Sequence, residues 1–108
     1  MSTPRLGHEP VPMRRVYDYQ DVNNRGDFFW EQRPSDGAQF ISMAIPCTPD
    51  SDGRDWEFIC IQVCRSESDK TDRIWLWDGN NDQPTLSPSI HTHHIWHGWV
   101  KGGVMSEA

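Results

Sequence analysis

Trp56-Glu57-Phe58-Ile59-Cys60-Ile61-Gln62-Val63 decides the fold. In extended chain Trp56, Phe58 and Cys60 project to one side and Ile59, Ile61 and Val63 to the other. Both faces are apolar, which predicts a central strand covered on each side. Upstream, Ala38 to Ile45 is a second strand, closed by Pro46, and 46–55 is a loop rich in proline, glycine and aspartate. Downstream, Arg65 to Asp72 is a polar loop. Ile74-Trp75-Leu76-Trp77 is a third strand that ends in the turn Asp78-Gly79-Asn80-Asn81-Asp82.

Gln83 to Ile90 contains Pro84 and Pro88, which deny it a full ladder of hydrogen bonds and predict an extended segment at a sheet edge. His91 to Val100 reads as one alternating strand, turned by Lys101-Gly102-Gly103 into Val104-Met105. Phe28 to Gln32 is compatible with a strand or a helical turn, and Pro34-Ser35-Asp36-Gly37 is a turn. No segment longer than ten residues repeats every 3.6 positions, so no long helix is expected. The fold class is therefore mostly β with little helix: a small antiparallel sheet, a sandwich or an open barrel.

A chain of 108 residues holds one domain. We divide it into an extended, basic, proline-containing arm (1–16) and a single small β domain (17–108). The apolar content is low, with a mean hydropathy of −0.76. Six tryptophans, four phenylalanines and two tyrosines carry much of it, so a few large rings must build the core. So thin a core favours stabilisation by a partner or by self-association as a homo-oligomer. The net charge is −6, yet the arm carries Arg5, Arg14 and Arg15 against Glu9 alone. An acidic body argues against nucleic acid as a partner. The arm reads either as a solvated tail or as a basic strap on an acidic neighbour. No apolar run approaches the length of a membrane span, and no signal segment is evident, so a cytoplasmic protein without a membrane partner is expected. Three cysteines, an odd number, argue against a disulfide framework.

The block Trp75-Leu76-Trp77-Asp78-Gly79-Asn80, followed by Pro84-Thr85-Leu86-Ser87-Pro88-Ser89-Ile90, resembles a signature of small proteins carried by tailed bacteriophages and prophages. They share a W-x-W-[DN]-G-N…P-T-[LF]-[ST]-P-S-[IL] pattern, a His-aromatic strand and a glycine turn, matched here by His97 to Val104. The resemblance covers roughly residues 74–104 and implies a phage origin, in the virion or the host cytoplasm, but no reaction. Many such relatives carry a zinc-knuckle-like set of cysteines. Here Cys47 remains without close cysteine neighbours, and Trp96-His97 stands where others have Cys-His, which implies that such a site has been lost.

Among residues that carry chemistry, the run His91-Thr92-His93-His94-Ile95-Trp96-His97 is prominent. On one strand His91, His93 and His97 share a side, and with Cys60 or Cys64 they form a candidate zinc set. The Cys-x3-Cys spacing is not that of a knuckle, so surface or interface histidines are the preferred reading and no cofactor is expected. Ser87, Ser89 and the histidines supply hydrolase residue types without a nucleophile elbow or glycine-rich oxyanion loop. The expectation is accordingly no catalysis. Trp56, Trp75, Trp77, Asp78, Gly79, Pro84 and Pro88 are read as structural. Arg5, Arg14, Arg15, Trp96 and Trp99 are read as interface candidates. The leading function on the sequence is a capsid-decorating or cement protein bound to phage capsid protein. The alternatives are an early phage factor binding a host protein and a degenerate zinc-binding β module.

Overall fold

A computed structural model describes Thr3 and residues 5–108. Nine strands form one sheet: β1 (Val11–Pro12), β2 (Arg14–Arg15), β3 (Asp27–Gln32), β4 (Gln39–Pro46), β5 (Trp56–Cys64), β6 (Ile74–Trp77), β7 (Leu86–Thr92), β8 (Trp96–Lys101) and β9 (Val104–Glu107). The order is β1-β9-β8-β7-β6-β5-β4-β3-β2. Helix is confined to single 3₁₀ turns at Tyr19–Asp21 and Glu67–Asp69, so the mostly β class read from the sequence is the one observed. Among the described residues no helix is long and apolar enough to cross a membrane.

The two edge strands, β1 and β2, are separated only by Met13, and this closes the sheet into a barrel-like form. Val11 and Pro12 pair with β9, while Arg14 and Arg15 run parallel to β3. Met13 N–H donates to Gly103 O (2.8 Å), Arg14 N–H to Gly26 O (3.0 Å) and Val16 N–H to Phe28 O (2.7 Å). The arm is thus extended, as its prolines require, but its second half is the seam of the barrel and not a solvated tail. Gly26 makes the close approach possible: its φ is +89°, and a Cβ there would lie 2.6 Å from Pro12 O.

Phe28, Ile41, Met43, Ile45, Val63, Leu86, Ile90, Trp96, Val100 and Met105 fill the interior. A smaller cluster of Val16, Val22, Phe29 and Ala44, flanked by Trp56 and Phe58, covers the outside of β3–β5. β5 therefore has apolar cover on both faces at its Trp56 end, while Cys60 is exposed.

Two expectations from the sequence are corrected. The Pro84–Ile90 segment is not at a sheet edge, because β7 lies between β6 and β8. Its proline is accommodated by an irregularity in the β7–β8 ladder. Nor is His91 to Val100 one strand: the chain turns at His93–Ile95, with His94 at φ +65°, and His91 pairs with His97 across the hairpin. The alternation continues through the turn, so spacing alone could not reveal it.

Candidate active site

The ladder between β7 and β8 matches Leu86 with Val100 and Ile90 with Gly98. Three residues of β7, Ser87-Pro88-Ser89, thus stand opposite a single residue of β8, Trp99. The surplus of two keeps the side-chain parity, so Leu86 and Ile90 both point into the core. The effect of such a bulge is to re-aim the side chains within it. In a regular ladder Ser89 would be only a diagonal neighbour of His97, with their Cβ atoms about 7 Å apart. Here Ser89 Oγ lies 3.0 Å from His97 Nε2.

His97 is held on β8 between inward-pointing Trp96 and Gly98, and its carbonyl accepts from Ala108 N–H (3.0 Å). The His91 ring stacks on it with centroids 4.7 Å apart and planes 30° apart. His91 also meets the His93 ring (4.9 Å) and shares a hydrogen bond with Thr3 Oγ1 through Nε2. Loss of water contact, then the charges of His97 and His93, push the His91 pKa below that of a free histidine. A neutral His91 puts no positive charge beside the His97 ring. Among the described residues no carboxylate is hydrogen-bonded to His97, so the arrangement is a serine–histidine dyad backed by a second imidazole.

The histidines singled out from the sequence therefore meet, His97 stacked on His91 and His93 tilted against it. Among the described residues no group of three or more His, Cys, Asp or Glu is placed to hold a metal ion. Cys60 is exposed on β5, and Cys64 Sγ donates to Ser66 O at the end of the same strand.

Of the interface candidates, Trp96 is corrected outright. It is the largest fully buried side chain, because an inward position on β8 belongs to the barrel interior. Trp99, on the opposite face, is exposed, with the Lys101 ammonium over its ring. Arg5 donates to Ala108 O, Arg14 is engaged with Asp27, and Arg15 reaches Asp82 at 3.1 Å. Trp75 and Trp77 pack against the core, and Trp75 Nε1 points at Ser89 O at 3.4 Å. Trp56 lies under the Arg54 guanidinium. Asp78 Oδ1 accepts from Asn80 and Thr85 N–H, Gly79 faces the Arg65 guanidinium, Pro84 is buried, and Pro88 sits in the bulge.

The dyad is hard to read from the sequence because no nucleophile elbow surrounds Ser89. The available signal was Ser-Pro-Ser inside a strand, where a proline demands a break in the ladder and so a redirected side chain.

A family model described as "Bacterial ubiquitination-like system serine protease (BubE)" matches residues 43–108. The matched region contains the whole Trp75–Ile90 block, Ser89, His91 and His97. The finding overturns the phage resemblance and, with it, the capsid-decoration, host-factor and virion readings. It also overturns the expectation of a protein without catalysis, since the family is described by an enzymatic activity. No curated protein and no solved structure matches the chain. With more than half of its length matched, the chain belongs to the BubE family of bacterial ubiquitination-like system serine proteases.

Proposed function

We propose that this protein is a serine peptidase in which Ser89 is the nucleophile and His97 the general base. The observation that carries the reading is the 3.0 Å approach of Ser89 Oγ to His97 Nε2 at the bulge. The family's description supports a protein substrate within a ubiquitination-like system, cleaved at a peptide or isopeptide bond. The functional partner is then another protein.

With its proton on Nδ1, His97 offers the Nε2 lone pair to the serine hydroxyl. Ser89 Oγ attacks the scissile carbonyl carbon as its proton passes to His97 Nε2. The carbonyl π electrons move onto oxygen. Collapse of the tetrahedral species breaks the C–N bond, and His97 returns the proton to the leaving amine. Water then attacks the acyl ester by the same base, freeing the carboxylic acid and restoring Ser89. Ser89 lies in the bulge, outside the register pairs of both β6 and β8, so its own N–H is the first candidate donor to the oxyanion. The neutral, stacked His91 supports the imidazolium without competing for its proton.

A fluorophosphonate ester tests the reading. The full chain should be labelled covalently at Ser89, with fluoride leaving, as mapped by peptide mass spectrometry. Labelling should disappear in Ser89→Ala and fall sharply in His97→Ala. Labelling elsewhere, or equal labelling of Ser89→Ala, overturns the assignment.

A further inference from the structure

The barrel wall is thin beside the dyad. β6 joins β7 only through Leu76 with Ser87 and Trp77 with Leu86, and joins β5 only from Gln62 to Cys64. Among the described residues, β7 therefore has no strand partner on its β6 side from Pro88 to Thr92, and β5 has none there from Trp56 to Ile61. The segment leading into β6 does not fill the place of a strand, since the hydrogen bonds of Glu67 to Arg73 are local to that turn.

The inner faces of the two neighbouring strands confirm the opening. Ile41 and Met43 of β4 are fully buried, while Ile61 and Ile59, their partners on β5, point to the same interior yet are only partly buried. This difference agrees with a gap on the β6 side of β5. Trp75 Nε1 donates to Ser89 O (3.4 Å), so the Ser89 carbonyl faces the β6 side and is met there by the indole; by strand alternation the backbone of His91 faces the same side, beyond it. The close stacking of His91 on His97 agrees with a non-hydrogen-bonded cross-strand pair, whose N–H and C=O groups point away from β8.

We infer that the unpaired margin of β7 receives an extended polypeptide substrate by strand addition. Its backbone pairs with the N–H and C=O of His91, and its scissile carbonyl rests on Ser89. This rests on the peptidase reading above. An exposed strand margin beside a nucleophile supplies affinity through main-chain bonds, and alternate side chains of the guest supply selectivity. Every second guest side chain turns inward, toward Ile59 and Ile61, so apolar residues at alternate positions are preferred there. The two margins are thus one extended, half-apolar cleft that ends at the dyad.

Peptidyl diphenyl phosphonates test this on the unmodified full chain. In each of them Ser89 Oγ displaces phenoxide from phosphorus, so the chemistry is constant while the peptide varies. Lengthening the peptide from one alanine to four should raise the rate of Ser89 modification on the order of tenfold or more. Methylating its amide nitrogens one at a time should abolish the gain at alternate positions only, the period of a strand. If length brings no gain, or if methylation shows no alternation, strand addition is wrong while the dyad stands. If neither these probes nor the small fluorophosphonate modifies Ser89, the peptidase reading fails and this inference with it.

Discussion

Arg14 holds the carboxylate of Asp27 in a fork, with Nε at 3.0 Å from Oδ1 and Nη2 at 2.8 Å from Oδ2. Asp27 is almost wholly buried, and Oδ2 also accepts from the N–H groups of Asn23 (2.9 Å) and Asn24 (3.0 Å). Burial alone would raise the Asp27 pKa. The Arg14 hydrogen bond, the two backbone N–H groups and the Arg14 charge outweigh it and hold the carboxyl below its usual range. This cluster sits where β2 meets β3 and therefore clasps the seam of the barrel.

Asp27→Asn should destabilise the fold by about 2–3 kcal/mol, the value of charged hydrogen bonds to a buried acceptor, discounted because Arg14 is more than half exposed. The measurement is urea unfolding at neutral pH. An effect under about 0.5 kcal/mol would show that the clasp contributes little.

The same carboxyl gives a pH dependence of defined sign. Its folded pKa is depressed, so the unfolded state binds more protons in acid. Its contribution is complete above the unfolded value of about 4 and is lost as pH falls through the lower folded value. Unfolding free energy should therefore decline below about pH 4 in the wild type, and Asp27→Asn should flatten part of that decline.

His91 gives a second pH dependence on the acid side of neutrality. Its pKa is lowered, so in the folded protein it stays neutral below the ordinary histidine value. Stability linked to it is complete above about pH 6.5 and falls as pH drops from there through the folded value. Proton NMR of the imidazoles should place the His91 midpoint below 6.5. Replacing His97 by Gln should move it upward by removing one of the causes. A His91 midpoint unaffected by that change would mean that the two rings are not electrically coupled.

The strands were legible where side-chain chemistry and backbone geometry agree. Trp56 to Val63, Ala38 to Ile45 and Ile74 to Trp77 all appear within about a residue or two of their expected limits, because alternation and flanking proline or glycine mark them. Lys101-Gly102-Gly103 turns β8 into β9 for the same reason. The seam was not legible: Pro10, Pro12 and the arginines look like a solvated arm, and nothing local says that Arg14 will find a buried aspartate. The hairpin at His93–Ile95 was hidden by an alternation that runs through it, with no glycine or proline at its turn. The dyad depends on two features that the sequence hides, the hairpin that brings β8 beside β7 and the bulge before Ile90 in which Ser89 lies.

Gly98 is tied to the core in a way that predicts a sharp response. A Cβ on it would lie 2.1 Å from Trp96 Cζ2 and 2.6 Å from Ser106 O. The first obstacle is a fully buried indole and the second is backbone, so neither can give way easily. Gly98→Ala should cost about 2–3 kcal/mol, in the upper range for overpacking, and should perturb the His97 backbone next to it. Fluorophosphonate labelling of the folded fraction should slow. A Gly98→Ala protein as stable as the wild type would show that the indole has room to move.

The Trp96 indole connects the interior to the arm. Its Nε1–H donates to His8 Nε2 at 2.8 Å, and His8 Nδ1 is placed to donate to Glu9 O at 2.7 Å. Just before His8, the N–H groups of Leu6 and Gly7 donate to the Glu107 carboxylate. The arm is thus anchored at three points above the end of the barrel nearest the dyad. Trp96→Phe removes the indole donor but keeps an aromatic ring, so it leaves His8 Nε2 without its partner and opens a small cavity. The expected loss is about 2 kcal/mol from the combined hydrogen-bond and volume effects. The diagnostic readout is local. Amide exchange at Leu6 and Gly7 should accelerate more than exchange on β4, which shares the core with Trp96 but does not pair with the arm. Uniform acceleration across both would mean that Trp96 stabilises the barrel as a whole and does not anchor the arm.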